Sequence, residues 1–286
     1  MHRAGLLLLL SHSAAITARM SSSTLPPSCS VEVHLVKMFT DNYCHVVIDR
    51  ETRLAAVVDP GDPAPVIARV KEMEKEGILL TLKQLWATHK HSDHVGGNEA
   101  LKAAFPELEI IGTQYEAVPS MSRGVGEGDT FNLGASSVTV MHVPCHTKGH
   151  VAFSVPGALF PGDTLFVGGC GRFFEGDGRD MLRNMDRFAT LPPSTLVYPA
   201  HEYTESNLKF LASVDAELCA PVYDQVQATR RAGKPTIPTT IGAELCYNLF
   251  MKARDPRVQA LLGVKGGGED AAVETITKLR EMKNRA

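Results

Sequence analysis

Between Thr88 and His94 the chain reads Thr-His-Lys-His-Ser-Asp-His, directly after the apolar run Leu85-Trp86-Ala87. Three imidazoles and a carboxylate are the donor types that hold zinc and other divalent transition ions. Packed this closely, they would crowd one another without a cation between them. Neighbouring residues alone cannot surround an ion, so more donors must come from elsewhere. Three segments offer them, each following an apolar run: Pro144-Cys145-His146, Pro161-Gly162-Asp163 and Pro199-Ala200-His201. Strand ends along one sheet edge are where sites of α/β proteins gather.

Together these segments supply seven donors, whereas one tetrahedral ion takes four. Two ions sharing Asp163 use them all. His89, His91 and His146 would hold the first, and Asp93, His94 and His201 the second, with a bridging hydroxide completing each shell. Paired ions of this kind sit about 3.5–4 Å apart and generate hydroxide at neutral pH. The chemistry is hydrolytic. A protein nucleophile has no support, because Gly-x-Ser-x-Gly is absent and no cysteine carries a supporting motif. Asp59 is expected either to orient a metal-held imidazole or to serve a turn, and His150 to support the His146 loop. Gly124-Val125-Gly126-Glu127-Gly128 lacks a strand and helix around it and is expected to be a turn.

The elements that must position these groups alternate. Strands are expected at Val31–Phe39, Cys44–Ile48 and Leu54–Val58, then a helix with Val66, Val70 and Met73 on one face, stopped by Gly77. A strand at Leu82–Thr88 delivers the His/Asp cluster, with a helix at Asn98–Phe105 and a strand at Leu108–Ile111 after it. A second round follows, with strands at Val138–Val143, Val151–Val155 and Leu196–Tyr198 around a helix at Met181–Leu191. Two packed sheets with helices outside fit this alternation. Beyond His201 the pattern turns helical at Glu205–Val214, Pro221–Arg231, Ile241–Ala253, Asp255–Leu262 and Asp270–Lys283. We divide the chain into a leader (1–30), a catalytic domain (31–201) and a helical domain (202–286).

The 286 residues, 44% hydrophobic and 21% charged, give ample core for one large or two ordinary domains. A net charge of −3 argues against a nucleic-acid binder, and the chain has no apolar run of 18 residues to cross a membrane. Six scattered cysteines read as buried thiols of a reducing compartment and exclude a cysteine-rich zinc knuckle. The first acidic residue is Glu32, and the preceding stretch carries Arg3, Arg19 and several serines, as mitochondrial transit peptides do. The expected location is the mitochondrial matrix, with the cytoplasm as the alternative for a start at Met20; export ranks third.

The motif Thr-His-x-His-x-Asp-His with His146, Asp163 and His201 resembles the metallo-β-lactamase superfamily. The chain is similar in more detail to glyoxalase II, the hydroxyacylglutathione hydrolases. The shared segments are Asp41-Asn42-Tyr43, Gly169 to Gly176, His201-Glu202-Tyr203-Thr204, Pro235 to Thr240, Tyr247 to Met251 and the final helix with Leu279 to Lys283. The resemblance spans about residues 31 to 284 and implies a four-layer αβ/βα metallo-β-lactamase-like sandwich with a C-terminal helical domain. It implies hydrolysis of S-D-lactoylglutathione and other 2-hydroxyacylglutathione thioesters to the acid and glutathione, using two divalent ions, zinc first, with iron or manganese possible; a monomer is expected.

Asp93 and Asp163 carry the catalytic role in that reading, together with the bridging hydroxide. Carried onto this chain, the family's substrate contacts are Arg172, Phe173, Phe174, His201, Glu202, Tyr203, Arg280 and Lys283. Arg280 and Lys283 share a helix face at i,i+3 spacing, so two cations could meet the glycine carboxylate of glutathione. Relatives often have Lys in place of Arg172 and Tyr in place of Phe174, which cannot donate a phenolic hydrogen bond. The rival readings are a mononuclear iron glutathione persulfide dioxygenase and a non-catalytic binder of glutathione conjugates. Neither rival explains the full donor set joined to the basic pair.

Overall fold

A computed structural model describes residues 29–286, so the expected leader, but for its last two positions, lies outside the described residues. Strands β1 (Val31–Met38), β2 (Asn42–Asp49) and β3 (Leu54–Val58) run antiparallel. Helix α1 (Pro63–Lys75) begins where the Asp62 carboxylate accepts the Ala64 N–H and proline takes the first helical position. It buries Val66, Val70 and Met73 and ends before Gly77 at φ +77°. Strands β4 (Thr81–Ala87), β5 (Glu109–Thr113) and β6 (Arg123–Val125) extend the sheet in parallel. Short helices α2 (Ser92–Val95) and α3 (Asn98–Ala104) lie between β4 and β5.

The second sheet is built from β7 (Thr130–Leu133), β8 (Ser136–His142), β9 (Val151–Val155), β10 (Ala158–Phe160), β13 (Leu196–Val197) and β14 (Thr239–Thr240). Its order is β14-β13-β10-β9-β8-β7. A hairpin, β11 (Leu165–Phe166) with β12 (Gly169–Cys170), precedes helix α4 (Gly178–Ala189). The C-terminal helices are α5 (Thr204–Val214), α6 (Ala216–Arg231), α7 (Ile241–Tyr247), α8 (Pro256–Leu261) and α9 (Gly268–Arg285). Among the described residues no helix is long and apolar enough to cross a membrane, and all six cysteines are free thiols.

Three apolar cores define the layers. Val47, Val58, Trp86 and Ile111 of the first sheet meet Phe131, Val140, Phe153 and Phe160 of the second. On the first sheet's other face, Val46, Val57 and Leu85 pack against α1 and α3. On the second sheet's outer side, Ala152, Leu159 and Val197 pack against α4 and the C-terminal helices. This is the four-layer sandwich with a helical C-terminal region. Both faces of the first sheet are covered, so every residue of β2 is buried, the polar Asn42, His45 and Asp49 included.

Some expected elements differ. Gly124 and Val125, expected at the start of a turn, lie in β6 beside β5, because Val125 reaches the core between the sheets. The helix expected from Pro221 starts at Ala216, where Asp215 caps the Leu218 N–H and leaves Pro221 inside the helix. The helix expected to run to Ala253 stops at Tyr247. Asn248 there takes an extended conformation, and its side-chain amide donates toward the Phe166 and Gly169 carbonyls at 3.4 and 3.2 Å. Finally, β14 comes from the C-terminal segment and pairs with β13, so that segment completes an edge of the second sheet.

Candidate metal centre

Strands β8, β10 and β13 run in one direction, so their C-terminal ends share an edge of the second sheet. The loops leaving those ends carry His146, Asp163 and His201, while β4 delivers His89 to His94 from the first sheet. The Val151 N–H donates to the Thr88 carbonyl at 2.9 Å, fastening the two sheets where the donors converge. All seven expected donors meet at this edge.

They fall into two groups joined by Asp163. In the first, His91 Nδ1 lies 2.9 Å from His89 Nε2 and 3.1 Å from His146 Nε2. In the second, His94 Nε2, His201 Nε2 and Asp93 Oδ2 stand 3.4 Å from one another. Asp163 Oδ2 is 3.4 Å from His146 Nε2, and its Oδ1 is 3.4 Å from the Nε2 atoms of both His94 and His201.

The donor set fits divalent ions. Asp163 Oδ1 is buried without a hydrogen-bond partner, a costly state that a cation removes. A tetrahedral ion with arms of about 2.0–2.1 Å separates its ligands by roughly 3.3 Å, close to the spacing of the second group. Burial and the neighbouring His94 hold His89 well below the usual imidazole range, leaving it neutral with a lone pair to give. Burial opposes charge on Asp163, but His94 and His201 outweigh it and keep its carboxyl well below the usual range.

The second ring nitrogens are also held, which fixes tautomer and ring orientation. His94 Nδ1 is 3.0 Å from the Asp59 carboxylate, which also accepts the Thr88 N–H and hydroxyl. His201 Nδ1 is 2.8 Å from Asp41 Oδ1, a contact across 160 residues. His146 Nδ1 meets the Arg172 carbonyl and His89 Nδ1 the Thr88 hydroxyl, both at 3.0 Å. Asn42 donates to Asp93 Oδ2 at 2.9 Å. His150, expected to support the His146 loop, accepts the Val143 N–H at its carbonyl across that loop at 2.8 Å, and its ring accepts the Asp163 N–H at 3.1 Å and stacks on His89. A Cβ at Gly171 would fall 2.0 Å from the Asp163 carbonyl, so only glycine lets the loop carrying Arg172 pass there.

Five of the donors, His91, Asp93, His146, Asp163 and His201, floor a cavity of about 560 Å³. Arg172 and Phe174 line one side and Tyr203 another, with Arg280 and Lys283 also in its wall. Phe174, 59% exposed, lies over His146 at 5.1 Å, and Tyr203 stacks flat on His201 at 4.5 Å. Arg280 Nη1 donates to the Cys170 carbonyl at 2.9 Å, and Lys283 Nζ donates to the Ser206 carbonyl at 2.8 Å. Burial and the adjacent Arg280 depress Lys283 to about 8.

Two expected contacts point elsewhere. Phe173 packs against the core on the outer side of the second sheet rather than lining the cavity, because successive side chains of that loop face opposite ways. Glu202 is buried away from the cavity and accepts the Tyr43 hydroxyl and the Thr236 N–H at 3.0 and 2.9 Å. Its own N–H is tied to the Asp41 carbonyl, which turns the carboxylate toward Thr236. Ser206 and Asn207 line the cavity and carried no signal beyond following Tyr203 by three and four residues.

A family model described as the metallo-beta-lactamase superfamily matches residues 40–201, and one described as hydroxyacylglutathione hydrolase C-terminus matches residues 202–286. A protein of Thermosynechococcus vestitus named hydroxyacylglutathione hydrolase is 39% identical over 254 residues, covering 87% of this chain and 97% of its own. One of Arabidopsis thaliana named hydroxyacylglutathione hydrolase cytoplasmic is 37% identical over 269 residues, 89% of this chain and 98% of its own. The crystal structure of ETHE1 from Myxococcus xanthus shares the fold at a TM-score of 0.63 and 22% identity, covering 87% and 90% of the two chains.

Proposed function

The chain belongs to the hydroxyacylglutathione hydrolase family within the metallo-β-lactamase superfamily, and from that premise we propose that its site cleaves S-D-lactoylglutathione and related 2-hydroxyacylglutathione thioesters. One observation carries the reading: a single cavity joins the seven-donor cluster to the Arg280 and Lys283 cations. A thioester with a carboxylate at its far end needs both.

In this reading His89, His91 and His146 would hold one divalent ion and Asp93, His94 and His201 another, with Asp163 available to both groups. Two such ions, zinc in our assignment, supply when bound a hydroxide at neutral pH and positive charge for the developing oxyanion. Asp41 and Asp59 keep His201 and His94 turned toward the ions. Asn42 holds Asp93 in place. Arg280 and Lys283 take the glycine carboxylate, and Arg172 adds positive charge along the tripeptide. Burial pushes the Tyr203 phenol well up, so it stays protonated and able to donate a hydrogen bond. Phe174 covers the neighbouring wall without donating. The departing thiolate is a good leaving group, which removes the need for a dedicated acid. Residues 31–201 thus carry the chemistry and 202–286 the grip on glutathione. We assign the working form as a monomer of the mitochondrial matrix, and of the cytoplasm for a start at Met20.

The test is turnover of S-D-lactoylglutathione by the purified chain, with metal content measured on the same sample. D-lactate and free thiol in equal amounts, with two ions bound, are expected. Oxygen uptake with glutathione persulfide and no thioester cleavage overturns the reading.

A further inference from the structure

Two carboxylates outside the cavity stand behind the three-imidazole group. Glu116, in the turn after β5, has a side chain only 6% exposed. Its Oε1 accepts the Lys90 N–H at 2.7 Å and the Thr147 hydroxyl at 3.1 Å, and its Oε2 accepts the Gly149 N–H at 3.1 Å. Lys90 separates His89 from His91, and Thr147 follows His146. One carboxylate therefore holds the backbones of both loops that present the first donor group.

Glu175 repeats the arrangement. Its Oε2 accepts the Lys148 N–H at 2.8 Å, and its own N–H donates to the Cys145 carbonyl at 3.1 Å. Lys90 Nζ lies 2.6 Å from Glu175 Oε1 and 4.0 Å from Glu116 Oε2, so one ammonium joins the two carboxylates. A Cβ at Gly149 would fall 2.7–2.9 Å from three atoms of the Glu116 side chain. The close approach is built into the loop as well as into the acid.

Stability alone is a weak reason for this construction. An exposed ion pair such as Lys90–Glu175 is screened by water and contributes little to stability. What the contacts define is a distance, the gap between the loop of His89 and His91 and the loop of His146. His94 and His201 are held by Asp59 and Asp41, whose side chains share no hydrogen bond or ion pair with Glu116, Glu175 or Lys90 among the described residues.

We infer that Glu116, with Lys90 and Glu175, forms a clasp that sets the divalent-ion affinity of the His89–His91–His146 group and leaves that of the Asp93–His94–His201 group unchanged. These are positioning residues, acting through main-chain N–H groups rather than on substrate. The inference rests on the proposed dinuclear reading.

Glu116→Gln in the full chain tests it, because the new amide sets donors against donors at Lys90 and Thr147 or at Gly149. The chain is stripped with chelator and titrated with Zn²⁺ against a competing chromophoric chelator. One ion should bind as in wild type and the other about 10–100-fold more weakly, the usual range for loss of a group that orients a ligand. The weakened step should be absent in a His146→Ala background and persist in a His201→Ala background. Gly149→Ala, which displaces Glu116 without changing charge, should give the same selective loss. Two unchanged affinities, or two affinities weakened alike, overturn the clasp. Wild type is titrated in parallel: if it binds two ions while the variants match it, only the clasp falls. If wild type binds fewer than two, the dinuclear reading falls and takes the clasp with it.

Discussion

Lys283→Met separates the grip on glutathione from the chemistry. Lys283 is half-buried on α9, its ammonium 2.8 Å from the Ser206 carbonyl and 5.7 Å from the centre of the Phe210 ring. Methionine preserves the stem on Phe210 and removes only the charge. A charge-assisted hydrogen bond contributes about 1.5–3 kcal/mol, and partial exposure with Arg280 still present reduces this to roughly 1–2 kcal/mol. KM should therefore rise about 5- to 30-fold, at about 1.4 kcal/mol per factor of ten. The contact is remote from the thioester carbonyl, so kcat should hold, as for any interaction equal in ground and transition states. The pH profile gives a second readout. With Lys283 depressed to about 8, the cation is complete below that pH and lost above it. A bound carboxylate favours the protonated form, so wild-type KM should climb as pH passes upward through 8, while the variant stays flat across that window. Steady-state hydrolysis followed by thiol release measures both. An unchanged KM in Lys283→Met, or the same pH dependence in the two proteins, refutes the assignment.

Asp163→Ala removes the oxygens between the two groups, so ion affinity should fall by more than about 100-fold, beyond the range for an orienting partner, and activity with it. Metal content and turnover of one sample check this. Asp59→Asn keeps the shape and tolerates φ +51°, but its amide must set a donor against Thr88 or against His94 Nδ1. The ion held with His94 should bind about 10–100-fold more weakly, and urea unfolding should show a loss of about 1–3 kcal/mol.

The seven donors were legible because their chemistry is local. Four sit in one heptapeptide, and the other three each close an apolar strand run. Helix α1 was legible because Val66, Val70 and Met73 repeat at helical spacing. What escaped lacks a local pattern. Strands β6 and β14 span three and two residues, too few to show alternation. Pro221 resembles a helix start, and only the Asp215 cap places the true one earlier. Phe173 and Glu202 sit inside matching motifs, yet their side-chain directions depend on what the neighbouring backbone hydrogen-bonds. The pairing of Asp41 with His201, or of Glu116 with Lys90 and Gly149, joins residues that no spacing rule connects.

The Asp41–His201 contact also bears on how the molecule is made. A chain emerges from synthesis N-terminus first, and contacts distant in sequence form late. The three imidazoles of the first group are present once residue 146 is available, Asp163 follows, and the acids that clasp them are complete at residue 175. The second group waits for His201, and with it for the β13 edge that the C-terminal segment covers through β14. With two ions held as proposed, a nascent chain would pass through a stage able to hold one ion and unable to hold two. Assembly of the hydrolytic centre is tied to near-completion of the polypeptide.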